Sequence, residues 1–96
     1  MRFRVILAPE AVEAMSELRA YDRARVRAAL EALRINPARV SRSRIKRLRG
    51  IEKPEYRLRV GDIRVFYDVA PPDVHVLAIV AKSEAQAWLE QQARKS

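Results

Sequence analysis

Residues 55–69 read EYRLRVGDIRVFYDV, and this stretch leaves few folds open. Apolar and polar residues alternate on both sides of Gly61-Asp62, the pattern of two half-buried strands joined by a two-residue turn. Counting outward from the turn pairs Val60 with Ile63, Arg59 with Arg64, Leu58 with Val65, Arg57 with Phe66, and Tyr56 with Tyr67. One face then carries Tyr56, Leu58, Val60, Ile63, Val65 and Tyr67, and needs a cover. The other carries Arg57, Arg59, Arg64 and Phe66. A one-residue slip would bury the arginines, so the pattern fixes its own register.

The remaining sequence supplies the cover. RFRVILA predicts a strand over residues 2–7. Pro9 suits the first position of a helix, with Glu10 and Glu13 placed to complement its dipole. Val12, Met15 and Leu18 give that helix one apolar side as far as about Arg19. Asp22 is the expected N-cap of a second helix, in which Val26, Leu30 and Leu33 share a face and which Asn36-Pro37 ends. ARVSRSRIKRLRGIEKPE keeps no helical face and reads as a basic connection pinned by Ile45 and Leu48. Its place between ordered elements argues against a nuclear-localisation signal or an RS-like tail. Strands over 63–70 and 74–80 follow, with Pro71-Pro72-Asp73 at their turn. Ser83-Glu-Ala-Gln has the form of a capping box opening a short last helix, whose Trp88 and Leu89 should cover Leu77 and Ile79. The predicted order is βααβββα over residues 1–96. This is a single α+β domain, an antiparallel sheet with a helical hairpin on one face and a short C-terminal helix.

Charge narrows the function. The net charge is +8, and residues 39–64 hold ten cations against three acids, so seven of the eight net charges lie there. A patch this concentrated fits a polyanion or an acidic protein. Arg59 opposite Arg64 is a like-charge pair that destabilises a bare sheet and is tolerated when an anion lies between. Guanidinium forks grip phosphate oxygens, and Phe66 would give a base a surface to stack on. Glu52, Glu55 and Asp62 are too few to neutralise the patch. With no cysteine and one histidine, disulfides and thiolate metal sites are excluded, and neither metal nor cofactor is expected. The N-terminus has no long apolar signal core, and nowhere do about 18 apolar residues run together, so a cytoplasmic protein is expected. Weaker candidates remain. His75 should lie opposite Asp68 and could move protons, although a lone strand histidine is more often structural. A cap accounts for Ser83, and Tyr56 and Tyr67 fall on the core face.

YRLRVGDIRVFYDV with RLRG ahead of it, together with APEAVEAM, RIKRLRG and VHVLAIVAKSEAQAWL, resembles the RelE/ParE superfamily of bacterial toxins over nearly the whole chain. The resemblance implies a RelE-like fold and the toxin role in a type II toxin–antitoxin module. It also implies a cognate antitoxin with an acidic, partly disordered segment that covers the basic face or displaces the last helix. Promoter DNA would be bound mainly through that antitoxin. RelE-like members enter the ribosomal A site and cut mRNA, the 2′-hydroxyl attacking its adjacent phosphate. On that reading Arg57, Arg59 and Arg64 match the family's basic strand residues, and Lys82, after the last strand, is the remaining catalytic cation. Arg42, Arg44, Lys46, Arg47, Arg49 and Phe66 would contact RNA. Two departures stand out. Arg57 and Arg59 occupy positions where RelE has lysines, and arginine stays protonated, so neither can be a general base. KSEAQAWLEQQ also lacks the arginine and the tyrosine or histidine often found near the RelE C-terminus. ParE-like members share the fold and poison DNA gyrase without cutting nucleic acid, and a catalytically degenerate antitoxin-binding module is a third alternative.

Overall fold

In a computed structural model, which describes residues 2–95, the hairpin predicted from the alternation forms with all five expected pairs in place. Gly61 has φ +58° while Asp62 stays at negative φ, the combination of a type II′ turn with glycine at its first central position. The elements are β1 (Arg4–Leu7), α1 (Pro9–Glu17), α2 (Ala20–Leu33), β2 (Ile45–Arg47), β3 (Tyr56–Val60), β4 (Ile63–Ala70), β5 (Asp73–Ala81) and α3 (Lys82–Lys95). They make one five-stranded sheet in the order β1-β5-β4-β3-β2. No helix among the described residues is long and apolar enough to cross a membrane.

The α1–α2 hairpin lies on one face of the sheet. Ala11, Val26, Leu30 and Leu33 pack there against Tyr56, Leu58, Val60, Ile63, Val65, Tyr67, Val74, Val76 and Ile79. The Tyr67 hydroxyl donates to the Pro37 carbonyl at 2.6 Å, tying the chain that leaves α2 to the middle of the sheet. Burial and the neighbouring Tyr56 push the Tyr67 phenol well above its usual pKa, which suits a neutral donor. Arg23 fastens the helices together. Its guanidinium donates to the carbonyls of Met15, Ser16 and Leu18 at and just beyond the C-terminus of α1, where carbonyls lack the regular helical partner.

Several expectations need correction. The basic connection contains a strand, β2, paired antiparallel with β3, so four strands rather than three follow the helical hairpin. β1 runs parallel to β5, to which it is joined through the whole intervening chain and not by a turn that would force antiparallel pairing. Asp22 is not a cap: α2 starts at Ala20 behind Arg19, and Asp22 sits in its first turn. Likewise α3 starts at Lys82, so Ser83 lies inside the helix, and Gln86 donates to Glu90 at 3.4 Å instead of reaching back. α3 is also longer than predicted, at 14 residues.

The largest difference is a β-bulge. Phe66 faces Ala78 while Tyr67 faces Val76, leaving Leu77 unpaired. The extra residue switches the faces of β5, so Ile79 joins the core beneath the helical hairpin. Trp88 therefore does not cover Ile79. Its ring stacks on Phe66 instead, with centroids 4.9 Å apart and planes 7° from parallel.

Candidate nucleic-acid interface

Strand pairing assembles the basic surface. Arg59 faces Arg64, and the Arg59 N–H donates to the carbonyl of Arg44, just ahead of β2, so Arg44, Arg59 and Arg64 form a row that crosses β3 and β4. Lys46 faces Arg57, which faces Phe66, giving a second row on the same face. Five cations thus come together with no acid between them. All follow from one alternation, because each cation sits at an even step from the others on its strand.

The structure divides these cations by what they already touch. Arg64 is only 8% exposed, and its Nη1 donates to the carbonyls of Gly61 at 2.8 Å and Ile63 at 3.1 Å. It fastens its own turn and adds charge from beneath the surface. Arg57 is half-buried and its Nε has no partner. Desolvation lowers its pKa below the usual arginine value, and the charges of Arg64 and Arg59 lower it further. An anion at this point would satisfy an orphaned donor and relieve the repulsion. Arg59, Arg44 and Lys46 are exposed.

Arg42 and Arg49 are exposed in the segments on either side of β2. Arg47 turns to other work: it lies 5.2 Å over the Tyr56 ring and 3.7 Å from the Glu55 carboxylate. Phe66 is 0% exposed under Trp88, so it offers no stacking face here, contrary to expectation. Lys82 opens α3 beside the β3–β4 turn, its main-chain N–H donating to the Asp62 carbonyl at 2.7 Å. Between β2 with its following loop and α3 runs a cleft of about 450 Å³, bordered by Lys46 and Arg49 and by Leu89 and Ala93.

The Asp68–His75 pair forms in register, but its carboxylate has another task. Asp68 accepts the Glu55 N–H at 2.7 Å while Glu55 accepts the Val69 N–H at 2.9 Å, so two side chains continue the β3–β4 ladder where Pro54 has no donor. The His75 Nε2 lies 4.0 Å from Asp73 instead. Among the described residues no group of three His, Cys, Asp or Glu side chains could hold a metal ion. Sequence reasoning passed over Arg25, which rests against the β3–β4 turn. Its spacing of four from Tyr21, on one helix face, was the available signal.

This arrangement, a helical hairpin backing a sheet whose other face is arginine-rich, accords with a family match. Residues 5–86 match the model of the ParE toxin of the type II toxin–antitoxin system parDE. The chain belongs to this toxin family, within the RelE/ParE superfamily. Solved structures agree on the fold. The toxin is 25% identical to a chain of the archaeal RelE–RelB complex from Pyrococcus horikoshii OT3, over 85% of this chain and 97% of that one, with a TM-score of 0.72. A mutant of Escherichia coli toxin RelE in the free state matches at 19% identity over 99% of this chain and 97% of that one, also with a TM-score of 0.72. A chain of the Mycobacterium tuberculosis RelBE2 toxin–antitoxin complex matches at 23% identity over 84% and 99%, with a TM-score of 0.71. The last two likenesses concern the fold alone. No curated protein matches the toxin significantly.

Proposed function

We propose that the toxin halts translation by cutting mRNA in the ribosomal A site, the ribosome supplying most of the substrate positioning. The observation that carries this reading is the two-row cluster of Arg44, Arg59, Arg64, Lys46 and Arg57, within which burial first, and then the charges of Arg64 and Arg59, lower the Arg57 pKa. In the reaction the 2′-oxygen bonds to the adjacent phosphorus and the bond from phosphorus to the 5′-oxygen breaks. Negative charge grows on the non-bridging oxygens. Arg57 and Arg59 would donate to those oxygens, while buried Arg64 stabilises the same charge at closer dielectric quarters. The 2′-hydroxyl loses its proton to a base and the leaving 5′-oxygen gains one from an acid. Arginine cannot be that base, and Lys46 is the one amine on the face, with Lys82 at its end. These two lysines are the proposed proton-transfer groups.

Primer extension on an mRNA under translation in a purified system tests the reading, with parallel reactions lacking ribosomes. New 5′ ends at A-site codons should form only with ribosomes and be lost in Arg59→Ala. Lys46→Arg should keep binding and lose cleavage. Intact mRNA in a toxin-arrested or freely translating system would overturn the nuclease reading.

Two observations favour a second reading, poisoning of DNA gyrase. The matching family model is that of the ParE toxin, and the five-cation cluster itself contains no imidazole, carboxylate or phenol. Gyrase-dependent accumulation of cleaved DNA, with mRNA left whole, would select it. Under either reading a cognate antitoxin neutralises the toxin. We infer that its neutralising segment is acidic, folds on binding, and covers the basic face or displaces α3 from Phe66. Promoter DNA is then bound chiefly through the antitoxin. Purification of the toxin from its native operon should bring down a small acidic protein.

A further inference from the structure

A cavity of about 500 Å³ lies between α2 and the Gly61 end of β3, on the flank of the basic face. Arg25, Arg44, Arg59 and Ser43 border it, the rest of its lining is small or apolar, and no carboxylate-bearing residue is among them. Three guanidinium-bearing residues around one cavity, without an acid, make a site for an anion.

The position of Arg25 is set by its surroundings. Its guanidinium carbon lies 5.3 Å from the centre of the Tyr21 ring, one helical turn earlier. Asp22 forms a loose, partly exposed ion pair with Arg25 at 3.8 Å, beyond hydrogen-bond distance, so the guanidinium keeps its hydrogen-bonding capacity for an anion. On its other side the guanidinium lies against the turn so closely that a Cβ on Gly61 would come within 2.6 Å of Nη2. Glycine at position 61 thus serves both the turn and the approach of Arg25.

Tyr21 adds a second feature. At 72% exposed, it is the most open of the exposed large apolar side chains among the described residues, and it stands beside this cationic cavity. An exposed ring next to a basic cavity is the combination that single-stranded nucleic acid uses, with the base on the ring and the phosphate among the cations. Phe66, the ring expected to do this, is buried under Trp88.

We propose that the Arg25–Arg44–Arg59 cavity holds a phosphodiester of single-stranded RNA while Tyr21 stacks on an adjoining base. The proposal rests on the reading of the strand face as an RNA surface. Arg44 and Arg59 belong to both places, so a bound strand crosses the β2–β3 edge from the face to the flank.

The test is fluorescence anisotropy of a labelled oligouridylate of about 12 nucleotides, a length within the range of such sites. Salt is varied, and melting curves are recorded for every variant. Arg25→Gln should weaken binding several-fold and reduce the slope of log Kobs against log salt by about 0.7, one phosphate contact. Tyr21→Ala should weaken binding about tenfold at unchanged slope, as loss of one stacked base would. Ala28→Glu puts a carboxylate at the cavity wall without touching the Gly61 turn, and should weaken binding while melting like the parent. Arg27→Gln, exposed on α2 outside the cavity, should change neither affinity nor slope. Parental affinity and slope in both Arg25→Gln and Ala28→Glu, with Lys46→Gln impaired, would overturn the cavity and leave the RNA face standing. Failure of the unaltered toxin to bind the oligouridylate would remove the RNA reading and the cavity's role together. Loss of antitoxin capture in Arg25→Gln, with RNA binding intact, would assign the cavity to an acidic protein and overturn the proposal.

Discussion

The Arg57 guanidinium is half-buried beside Arg59 and Arg64, so its charged form is disfavoured first by desolvation and then by two like charges. A cation with a lowered pKa holds its proton less tightly in the folded chain than in the unfolded one. Keeping it charged at neutral pH therefore works against folding. Arg57→Met retains most of the aliphatic stem and removes the charge. Relief of a cross-strand like-charge contact is worth about 0.2–1 kcal/mol, and 1 kcal/mol moves Tm by roughly 4–8 °C at this size. The variant should melt a few degrees higher and bind RNA more weakly; a lower Tm would mean the guanidinium supports the fold. Tyr67 gives the opposite sign. Its phenol pKa is raised from the ordinary 10.0, so the folded state favours the neutral form. That stability is complete below about pH 10 and declines as pH rises beyond it. Tyr67→Phe should lose about 1–3 kcal/mol at neutral pH, because the Pro37 carbonyl loses its donor. It should also show a shallower alkaline decline in urea melts than the parent.

At the scale of elements, α3 is the most exposed of the helices. No residue of the helix is fully buried, and its docking centres on the Trp88–Phe66 stack. Such a pair adds about 0.5–1.5 kcal/mol beyond the area it covers. Trp88→Ala should therefore release α3 locally: its amides should exchange hydrogen faster while those of β3 and β4 keep their protection. Equal acceleration in the sheet would make the helix part of the cooperative core. The same comparison of elements explains what the sequence could reveal. β3 and β4 were legible to the residue because polar and apolar residues alternate and a glycine turn sets the count. In β5 the run VLAIVA is apolar throughout, so alternation carries no register there and the bulge at Leu77 left no trace. β2 is three residues long with cations at two of them, and its strand character comes from pairing with β3. Both misplaced helix starts have one cause. Arg19 turns α2 from an extended conformation with no side-chain cap, and α3 begins straight after β5, so Asp22 and Ser83 fall inside the first turn.

Across the whole molecule, the concentration of charge in residues 39–64 was visible from composition, but its partition was not. Which cations face outward depends on the folded geometry: Arg64 turns back to the carbonyls of Gly61 and Ile63 and Arg47 to Tyr56 and Glu55, while Arg25 joins from a helix far away in sequence. Salt dependence reads this partition directly. Each phosphate neutralised on single-stranded RNA contributes about −0.7 to the slope of log Kobs against log salt. If Arg44, Lys46, Arg57, Arg59 and Arg25 each meet one phosphate, the slope should be about −3.5. Engagement of all ten cations of residues 39–64 would give about −7 instead. Anisotropy titrations from roughly 50 to 300 mM KCl span enough of the screening range to separate the two. A slope near −7 would bring Arg42, Arg49 and the connecting segment into the interface, and a slope near zero would mean that phosphate is not what the arginines hold. The intermediate value would make the sheet itself the selector: its pairing buries some guanidinium groups and leaves a short, directed track of cations for one strand of RNA.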